Sequence, residues 1–385
     1  MARLGDICTI VSGSTPKSNI PEFWDGDIKW ITPAELAQGT YIINDSVRHI
    51  TELGVTKTGL KPFPQGTVIL SSRAPIGKTA IAGCEMYCNQ GFKNLICSDK
   101  INPRYLYWFL TCNTEYLNSL GRGATFKEIS KEIVANIEIP LPTLEQQISI
   151  AEKFEKIREL IALRKEQLAK LDQLVKSRFV ELFGSLNDNE KGLDIVSIEE
   201  LCTLIKDGTH QTPMYTEDIQ NGFKFLSSKD VMTQKICWDD IKYIPAELHE
   251  KLYTAIQPQR NDILMSKNGV NYGVAAVNDT DEVFDIYVSL ALLRPRTDRV
   301  NPVYLRCAIN NPDTKRQFDS SIKGIGVPNL HLGEIKRTKV LLPPMNQQNQ
   351  FVTFVEQIDK TKLTIQTSLD KLEVMKKALM QQYFG

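Results

Sequence analysis

Two long stretches of the chain repeat apolar residues at alternating spacings of three and four, which is the pattern of a helix that packs against another helix. In the first stretch the apolar positions are Ile150, Phe154, Ile157, Ile161, Leu168, Leu171, Val175 and Leu182, interrupted by Arg164 and Arg178. In the second they are Phe351, Val355, Ile358, Ile365, Leu369, Leu372, Leu379 and Tyr383, interrupted by Lys362 and Lys376. Each stretch predicts a helix of about 40 residues, roughly 60 Å long at 1.5 Å per residue.

The two stretches are copies of one another. Residues 141–184 align without a gap onto residues 342–385, and 12 of the 44 positions are identical. The identities include the opening Leu-Pro, a Gln-Gln pair and the closing Phe-Gly. A repeat of this length predicts two equivalent halves with pseudo-twofold symmetry, each a module followed by a long helix.

Antiparallel pairing is the simplest way to bury the apolar stripes of both helices, because one helix lies between the modules and the other follows the second module. In an end-to-end register Phe154 faces Leu372 and Val175 faces Phe351. The same register sets Arg164 against Lys362, which is repulsive unless both side chains extend outward or meet acids of a partner.

The modules themselves combine strands and helices. Residues 28–31, 67–70 and 79–81 are short runs rich in β-branched and aromatic residues, separated by Gly and Pro, and they predict strands. Residues 103–120 carry apolar residues at helical spacing. The second module repeats this plan, for example in its Asn-Pro-x-Tyr-Leu sequence at 301–305.

The predicted fold class is α+β, with two mixed α/β domains separated by a pair of long antiparallel helices that form a coiled coil. The predicted boundaries are 1–140 and 193–341 for the two domains, 141–184 and 342–385 for the two helices, and 185–192 for a linker.

The amino-acid composition excludes only a few classes of function. The 46 basic and 46 acidic residues cancel, so the overall charge gives no support to a nucleic-acid partner, although a local basic face is compatible with it. The sequence has no apolar run of membrane-spanning length and no signal-peptide pattern at its start, which favours a cytoplasmic protein. The eight cysteines show no zinc-binding spacing and are interpreted as reduced thiols.

Several short motifs follow one another along the chain in an order that resembles one protein family. They are the Leu-Gly-Asp-Ile start at 4–7, the Gly-Ser-Thr-Pro sequence at 13–16, the Ile-Gly-Lys that ends the segment 72–78, and the Leu-Pro-x-x-x-Gln-Gln start of each long helix. In this order the chain resembles the specificity (S) subunit of type I restriction-modification systems over nearly its whole length.

The resemblance implies a DNA-recognition function without catalysis. It implies two target recognition domains that each read one half of a bipartite double-stranded DNA sequence, and two methyltransferase (M) subunits docked on the helices, with restriction (R) subunits joining through them. S-adenosylmethionine, ATP and Mg²⁺ would be bound by those partners, so no cofactor and no metal is expected on this chain. The second module has Lys-Asn-Gly-Val-Asn-Tyr-Gly at 267–273 where the first has Arg-Ala-Pro-Ile-Gly-Lys, which indicates different half-sites.

Three loops of each module are the candidate DNA-binding elements, because they combine glycine with donors suited to phosphates and base edges. In the first module they span 12–17, 71–78 and 121–127, and the candidate contacts are Ser14, Lys17, Arg73, Lys78, Arg122 and Lys127. In the second they span 206–211, 266–272 and 323–329, and the candidate contacts are Lys206, His210, Gln211, Lys267, Asn268, Asn271, Lys323 and Asn329. The competing interpretation is that these Gly-Ser-Thr and Asn-Gly sequences are ordinary turns.

Apolar residues outside the helical stripes predict a docked partner, since two helices alone leave their flanks exposed. The candidates are Leu160, Leu163, Leu174, Phe179 and Phe183.

Two other functions stay open. The chain could serve a complex that methylates without restricting or another defence complex, or it could be a coiled-coil scaffold that binds protein rather than DNA. Residues 72–79 are not a nucleotide-binding P-loop, because serine stands where that motif needs its first glycine. No amino-methyltransferase signature is present either.

Overall fold

The structure, a computed structural model, describes residues 1–37, 39–73, 75–123, 127–322 and 328–385. The chain divides into two compact units. Unit 1 comprises Met1–Lys165 and Thr367–Gly385, and unit 2 comprises Glu166–Gln366. Each unit mixes helices and strands, as the sequence predicts. None of the helices in these described ranges is both long enough and apolar enough to cross a membrane.

The two longest helices are α6 and α12, and each contributes residues to both units. The helices are α1 (Leu4–Ile7), α2 (Glu52–Thr58), α3 (Pro103–Cys112), α4 (Thr114–Ser119), α5 (Lys131–Ala135), α6 (Leu144–Phe183), α7 (Ile198–Leu201), α8 (Ala246–Tyr253), α9 (Pro302–Ile309), α10 (Pro312–Ser321), α11 (Leu332–Arg337) and α12 (Met345–Phe384).

The strands are short. They are β1 (Ala2–Arg3), β2 (Cys8–Ser12), β3 (Trp24–Ile31), β4 (Ile42–Ile43), β5 (Arg48–Ile50), β6 (Val68–Leu70), β7 (Thr79–Ala82), β8 (Tyr87–Cys88), β9 (Lys93–Cys97), β10 (Glu138–Ile139), β11 (Asp194–Ser197), β12 (Cys202–Asp207), β13 (Phe223–Leu226), β14 (Lys242–Ile244), β15 (Ile263–Ser266), β16 (Ala275–Val277), β17 (Phe284–Ile286), β18 (Leu290–Pro295) and β19 (Lys339–Leu342).

The two units contain corresponding sheets in the same order, except that β4 adds an edge strand to the largest sheet of unit 1. In unit 1 the strands pair as β2-β9-β6-β7-β4, β5-β3-β8 and β1-β10. In unit 2 they pair as β12-β18-β15-β16, β14-β13-β17 and β11-β19. In both units the middle sheet contains one parallel pair, β3 with β8 and β13 with β17. The repeat predicted from the sequence is therefore a repeat of the whole module.

The central strands β6 and β15 read as continuous apolar runs because both of their faces are covered. In β6, Val68 and Leu70 pack into the core that contains α3, while Ile69 points into a second core on the other face of the sheet. In β15 of unit 2, Ile263 and Met265 likewise pack into one core, while Leu264 packs into a second core on the other face of the sheet. This two-sided burial fixes the register of the strands whose ends carry the candidate loops.

The Asn-Pro sequences begin α3 and α9. The side chain of Asn102 accepts a hydrogen bond from the Arg104 N–H at 2.9 Å, and Asn301 caps α9 in the same way. Proline at the first helical position costs no hydrogen bond, because that N–H has no partner within a helix. The shared sequence signal therefore encodes the same helix start in both units.

The second glutamine of each Gln-Gln pair locks a long helix to its module. Gln348 is buried, accepts a hydrogen bond from the Asn301 N–H at 2.8 Å, and donates to the carbonyls of Arg299 and Pro343 at 3.2 and 2.8 Å. Gln147 makes the equivalent three hydrogen bonds in unit 1. The repeated glutamine is therefore a structural residue.

Within each unit α6 and α12 run antiparallel, as predicted. In unit 1 the Lys153 ammonium donates to the Tyr383 hydroxyl at 2.8 Å, and Lys165 lies 3.9 Å from Glu373. Partners on α12 therefore descend in number as those on α6 ascend.

The register is different from the predicted one. Phe154 packs against Tyr383, with ring centroids 6.4 Å apart, instead of Leu372. In unit 2 Lys362 forms an ion pair with Asp172, so its partner is an acid and not the predicted Arg164. The predicted register was wrong because a heptad pattern looks the same after a shift, and the aromatic residues at the helix ends select among the alternatives.

One predicted helix is interrupted. Residues 103–120 form α3 and α4, which meet at Asn113, whose side-chain amide donates to the Phe109 carbonyl at 2.8 Å. Asparagine favours such a break because its side chain competes for backbone hydrogen bonds. The strands predicted at 28–31, 67–70 and 79–81 are confirmed as β3, β6 and β7, with β6 beginning one residue later than predicted, at Val68.

Candidate nucleic-acid interface

Three loops form the candidate interface of each unit: two are at the ends of strands, and the third comes after helix α4 in unit 1 or α10 in unit 2. Loop A follows β2 or β12 and spans 12–17 in unit 1 and 206–211 in unit 2. Loop B follows β6 or β15 and spans 71–78 or 266–272. Loop C spans 121–127 or 323–329; residues 124–126 and 323–327 lie outside the described residues.

A glycine lets each loop A cross a neighbouring strand at very close range. A Cβ atom on Gly13 would overlap the Cys88 carbonyl oxygen, and one on Gly208 would overlap the carbonyl of Ile286. The next residue then bonds that same strand end, since the Ser14 N–H donates to the Cys88 carbonyl at 3.0 Å and the Thr209 N–H donates to Ile286 at 3.0 Å. Glycine is required here by space.

Two tryptophan side chains donate hydrogen bonds to the backbone of loop A in unit 1. The indole N–H of Trp30 donates to the Ser14 carbonyl at 3.0 Å, and that of Trp24 donates to the Lys17 carbonyl at 3.2 Å. The side chain of Lys17 itself is exposed. The loop is therefore a fixed backbone that carries an exposed cation.

Loops B and C are joined by backbone hydrogen bonds in both units. In unit 1 the Ile129 N–H, just after loop C, donates to the Ser72 carbonyl of loop B at 2.9 Å. The Arg122 N–H donates to the Glu128 carbonyl at 3.0 Å and so links the two ends of loop C. In unit 2 the Leu330 N–H donates to the Lys267 carbonyl at 2.8 Å. Residue pairs Arg73–Glu128 and Asn268–Asn329 form equivalent antiparallel bridges.

A buried ammonium lies beneath the loops of each unit, but it comes from different positions. In unit 1 it belongs to Lys93 on β9, only 7% exposed, which donates to the Ser72 hydroxyl and to the Glu128 carboxylate, both at 3.2 Å. In unit 2 it belongs to Lys267, the equivalent of Ser72, which is 3% exposed and donates to Asp207 at 2.7 Å. A buried charge is tolerated when such a partner is in place.

The strand register shows that the lysine and the acid of this ion pair occupy different positions in the two units. Ser12 is the β-partner of Lys93, and the equivalent pair in unit 2 is Asp207 with Ala291. The lysine is on strand β9 in unit 1 and in loop B in unit 2, and the acid is Glu128, beside loop C, in unit 1 and Asp207, at the end of β12, in unit 2. Each unit therefore keeps one buried ion pair beneath its loops while the exposed side chains differ.

The loops of unit 1 are locally basic although the whole chain is neutral. Lys17, Arg73, Lys78, Arg122 and Lys127 are opposed by Glu128 as the one acid in or beside these loops. Burial alone would raise the pKa of the Glu128 carboxyl, but hydrogen bonds from Arg73 and Lys93 and their charges hold its pKa below its usual range. Glu128 is therefore ionised at neutral pH and neutralised by its two partners.

The loops of unit 2 present amides in place of most of these cations. Gln211, Asn271 and Asn329 are exposed, and Asn268 is half-buried. Amide side chains pair with both hydrogen-bonding groups of adenine, whereas arginine suits guanine. The two units thus carry different hydrogen-bonding chemistry on one backbone frame.

Comparison with known proteins agrees with this duplicated arrangement. The family model described as the type I restriction modification DNA specificity domain matches residues 1–173 and again 190–374. The chain belongs to this family.

Members of the specificity family resemble the chain over most of its length. The MjaIX specificity subunit of Methanocaldococcus jannaschii is 29% identical over 98% of this chain and 90% of its own length. The EcoBI specificity subunit of Escherichia coli is 22% identical over 84% of this chain and 75% of its own length.

Solved structures of type I systems share the fold. A chain from a structure described as the structural basis of complex assembly and conformational transition of the type I R-M system has a TM-score of 0.60 and 19% identity, covering 100% of this chain and 96% of that chain. The S subunit from M. genitalium has a TM-score of 0.57 and 16% identity, covering 100% and 95%. At these identities the similarity establishes the fold alone.

Within this family fold, most unit 1 candidates are accessible. Lys17, Arg73, Arg122 and Lys127 are exposed, and Ser14 is half-buried. Lys78 is half-buried, and its ammonium donates to the Pro33 carbonyl at 3.2 Å. This hydrogen bond links loop B to the segment that contains Pro33. Their contact with DNA stays a prediction.

Two unit 2 candidates need revision. Lys267 is buried against Asp207 and cannot reach a phosphate, so its expected role as a DNA contact is wrong. The Oδ1 atom of Asn268 is also inaccessible. Lys206, His210, Gln211 and Asn271 are exposed. Asn329 is exposed as well, and Lys323 lies outside the described residues.

The candidates for partner binding divide into two groups. Leu160, Leu163 and Leu174 are exposed on α6. Phe179 and Phe183 are buried in unit 2, where both pack against Tyr304 and Phe351 with ring centroids 5.2–5.5 Å apart. Those two were assigned wrongly, because their helix face is covered by the module of the same unit.

Sequence reasoning missed the ion pairs below the loops. A lysine between buried strand positions, as at Lys93, and a lone acid beside basic loops, as at Glu128, were the available signals. Neither reveals its partner, because Lys93 and Glu128 are 35 residues apart and meet only in the fold.

Proposed function

We propose that the chain is the DNA sequence-specificity subunit of a type I restriction-modification complex. Unit 1 and unit 2 each bind one half of a split double-stranded DNA target through loops A, B and C. The chain itself performs no catalysis and works in the cytoplasm. The methyltransferase subunits dock on the long helices, and any restriction subunits join through them.

One observation carries this proposal. The same frame occurs twice, with the same glycine-dependent crossing and the same joined loops, yet the exposed side chains are mainly arginines and lysines in one unit and include more amides in the other. Recognition of two different half-sites requires a common docking geometry and different base-reading side chains. A scaffold that binds one protein twice would need the same exposed chemistry in both units.

Salt dependence of DNA binding tests this function directly. Phosphate contacts release counterions, so each one contributes about −0.9 to the slope of log K against log salt concentration. Replacing Lys17, Arg122 and Lys127 together by glutamine should weaken binding and make this slope less steep by up to about 2.7. The measurement is a fluorescence-anisotropy titration of the purified complex on duplex DNA at several salt concentrations.

A control with the same charge change separates local from overall electrostatics. Lys57, Lys61 and Lys100 are exposed in unit 1 and lie outside the three loops. Their replacement by glutamine should leave the slope within experimental error of the wild-type value. Equal slopes for both triple variants would contradict the assignment of the loops.

The exposed apolar residues of the helices support docking of the methyltransferase subunits. Leu163 of α6 and Val374 of α12 both belong to unit 1, and they are 54% and 66% exposed. Leu160 and Met375 of the same two helices are exposed as well. A group of exposed apolar side chains on one helix pair fits a surface that a partner covers.

Replacing Leu163 and Val374 together by lysine should therefore abolish co-purification with the methyltransferase subunits. Stability of the isolated chain should change little, because both side chains are exposed. Leu53→Lys is the matched control, since Leu53 is an exposed leucine of α2 outside the long helices. Normal assembly of the double variant would show that the partner docks elsewhere.

A further inference from the structure

Among the exposed loop cations of unit 1, Arg73 differs from Lys17, Arg122 and Lys127 because its side chain is held by an ion pair. Its Nε–H donates to the Glu128 carboxylate at 2.9 Å, while 45% of the side chain remains exposed. Among the described residues this is the one side-chain hydrogen bond of Arg73. The guanidinium is therefore fixed through Nε, and its two terminal nitrogens make no hydrogen bond to any residue that the structure describes.

Glu128 is itself fixed from below. Its other carboxylate oxygen accepts from the buried Lys93 ammonium at 3.2 Å, and Lys93 is anchored to Ser72, the residue next to Arg73. The lowered pKa of the Glu128 carboxyl keeps this acceptor charged at neutral pH. These contacts thus connect Lys93 in the core of unit 1, through Glu128, to Arg73 at its surface.

We infer that Arg73 reads a guanine in the half-site bound by unit 1, with Glu128 as its positioning residue. This inference rests on the proposed function. The two terminal nitrogens of an arginine match the O6 and N7 acceptors of guanine in the major groove. Orientation through Nε lowers the entropy that the side chain loses when it makes this bidentate contact.

The equivalent position of unit 2 provides an internal comparison. There Asn268 replaces Arg73 and Asn329 replaces Glu128, and the two residues form the same backbone bridge. Both the arginine and its carboxylate partner are replaced in unit 2, as expected if the two residues function as a pair. Guanine readout at this position is therefore a property of unit 1 alone.

The test begins with the target of the wild-type complex, mapped as methylated adenines in a methylation-free host. Binding of the purified complex is then measured on duplexes in which each base pair of both half-sites is replaced in turn. Wild type should prefer one G·C pair of one half-site by roughly 5- to 150-fold over the other pairs at that position. Arg73→Ala should remove this preference at that pair alone, and Arg73→Gln should shift it toward A·T, since glutamine pairs with adenine.

Glu128→Gln distinguishes positioning from simple structural support. It should reduce the preference at the same base pair and leave the other half-site unchanged, whereas general destabilisation would weaken both. Arg122→Gln is the matched control, because Arg122 contacts Glu128 only through backbone atoms. It should weaken binding to all sequences equally and lower the salt slope by about one.

Two results would overturn the inference while leaving the proposed function intact. One is a split target without guanine in either half-site. The other is an Arg73→Ala variant that loses affinity equally for every sequence, which would identify a phosphate contact. Absence of any split target would instead contradict the proposed function, and the inference with it.

Discussion

The replacement of Gln348 by alanine tests how the long helix is joined to its module. Gln348 is 0% exposed and makes three hydrogen bonds to backbone groups, at 2.8, 2.8 and 3.2 Å. A net loss of about 1 kcal/mol for each bond gives about 3 kcal/mol of destabilisation. For a unit of about 200 residues this lowers the melting temperature by roughly 6 to 12 °C.

The preceding residue is a built-in control. Gln347 stands at the start of the same helix, but its side chain is exposed, so Gln347→Ala should change stability by less than about 0.5 kcal/mol. Thermal unfolding followed by circular dichroism at 222 nm measures both variants. Equal shifts for the two variants would refute the role assigned to the second glutamine.

Further predictions concern acid stability and loop geometry. In unit 1 burial raises the pKa of the Glu155 carboxyl, but hydrogen bonds from Arg104 and Tyr41 and the Arg104 charge lower it more, so the net pKa lies below its usual range. The stabilisation is therefore complete above the ordinary carboxyl pKa of about 4.3 and is lost as pH falls through the lower folded value. Melting curves from pH 7 to pH 3 should show a shallower acid loss for Glu155→Gln; an unchanged profile would contradict this assignment. Gly13→Ala should destabilise unit 1 and weaken binding to its half-site, because the new Cβ overlaps a carbonyl oxygen. Gly333→Ala, where the nearest atom would be 3.6 Å away, should be neutral or stabilising in the same melting and binding assays.

Local patterns in the sequence were sufficient to predict the duplicated mixed fold. The spacing of apolar residues identified both long helices, and it correctly predicted that a helix begins at residue 103, where α3 starts. Those features depend on residues that are neighbours along the chain. The break at Asn113 was missed, because the apolar spacing continues through it while the side chain bonds the helix backbone.

Features that depend on distant partners could not be predicted. The helix register rests on contacts such as Phe154 with Tyr383 and Lys362 with Asp172, and a heptad pattern alone allows several equivalent shifts. Phe179 was assigned to a partner because its burial by Tyr304 cannot be inferred from the helix alone.

The candidate loops were located by composition, but the roles within them were not. Lys267 looks like a DNA contact in the sequence and is a buried ion-pair residue in the fold. Lys93, which supports the loops of unit 1, lies in a strand outside all of them. Composition identifies where polar groups concentrate, whereas burial decides which of them can reach a ligand.

Genome-wide mapping of methylated adenines tests the central claim most directly. The chain would be co-expressed with the methyltransferase subunit of its own system in a host without adenine methylation, and the modified bases located by long-read sequencing. Two recognition units predict methylation at one split motif, with two short and different half-sites around a fixed gap. Assembly of the complex with methylation at a continuous motif, or with none, would contradict two half-sites read by one chain.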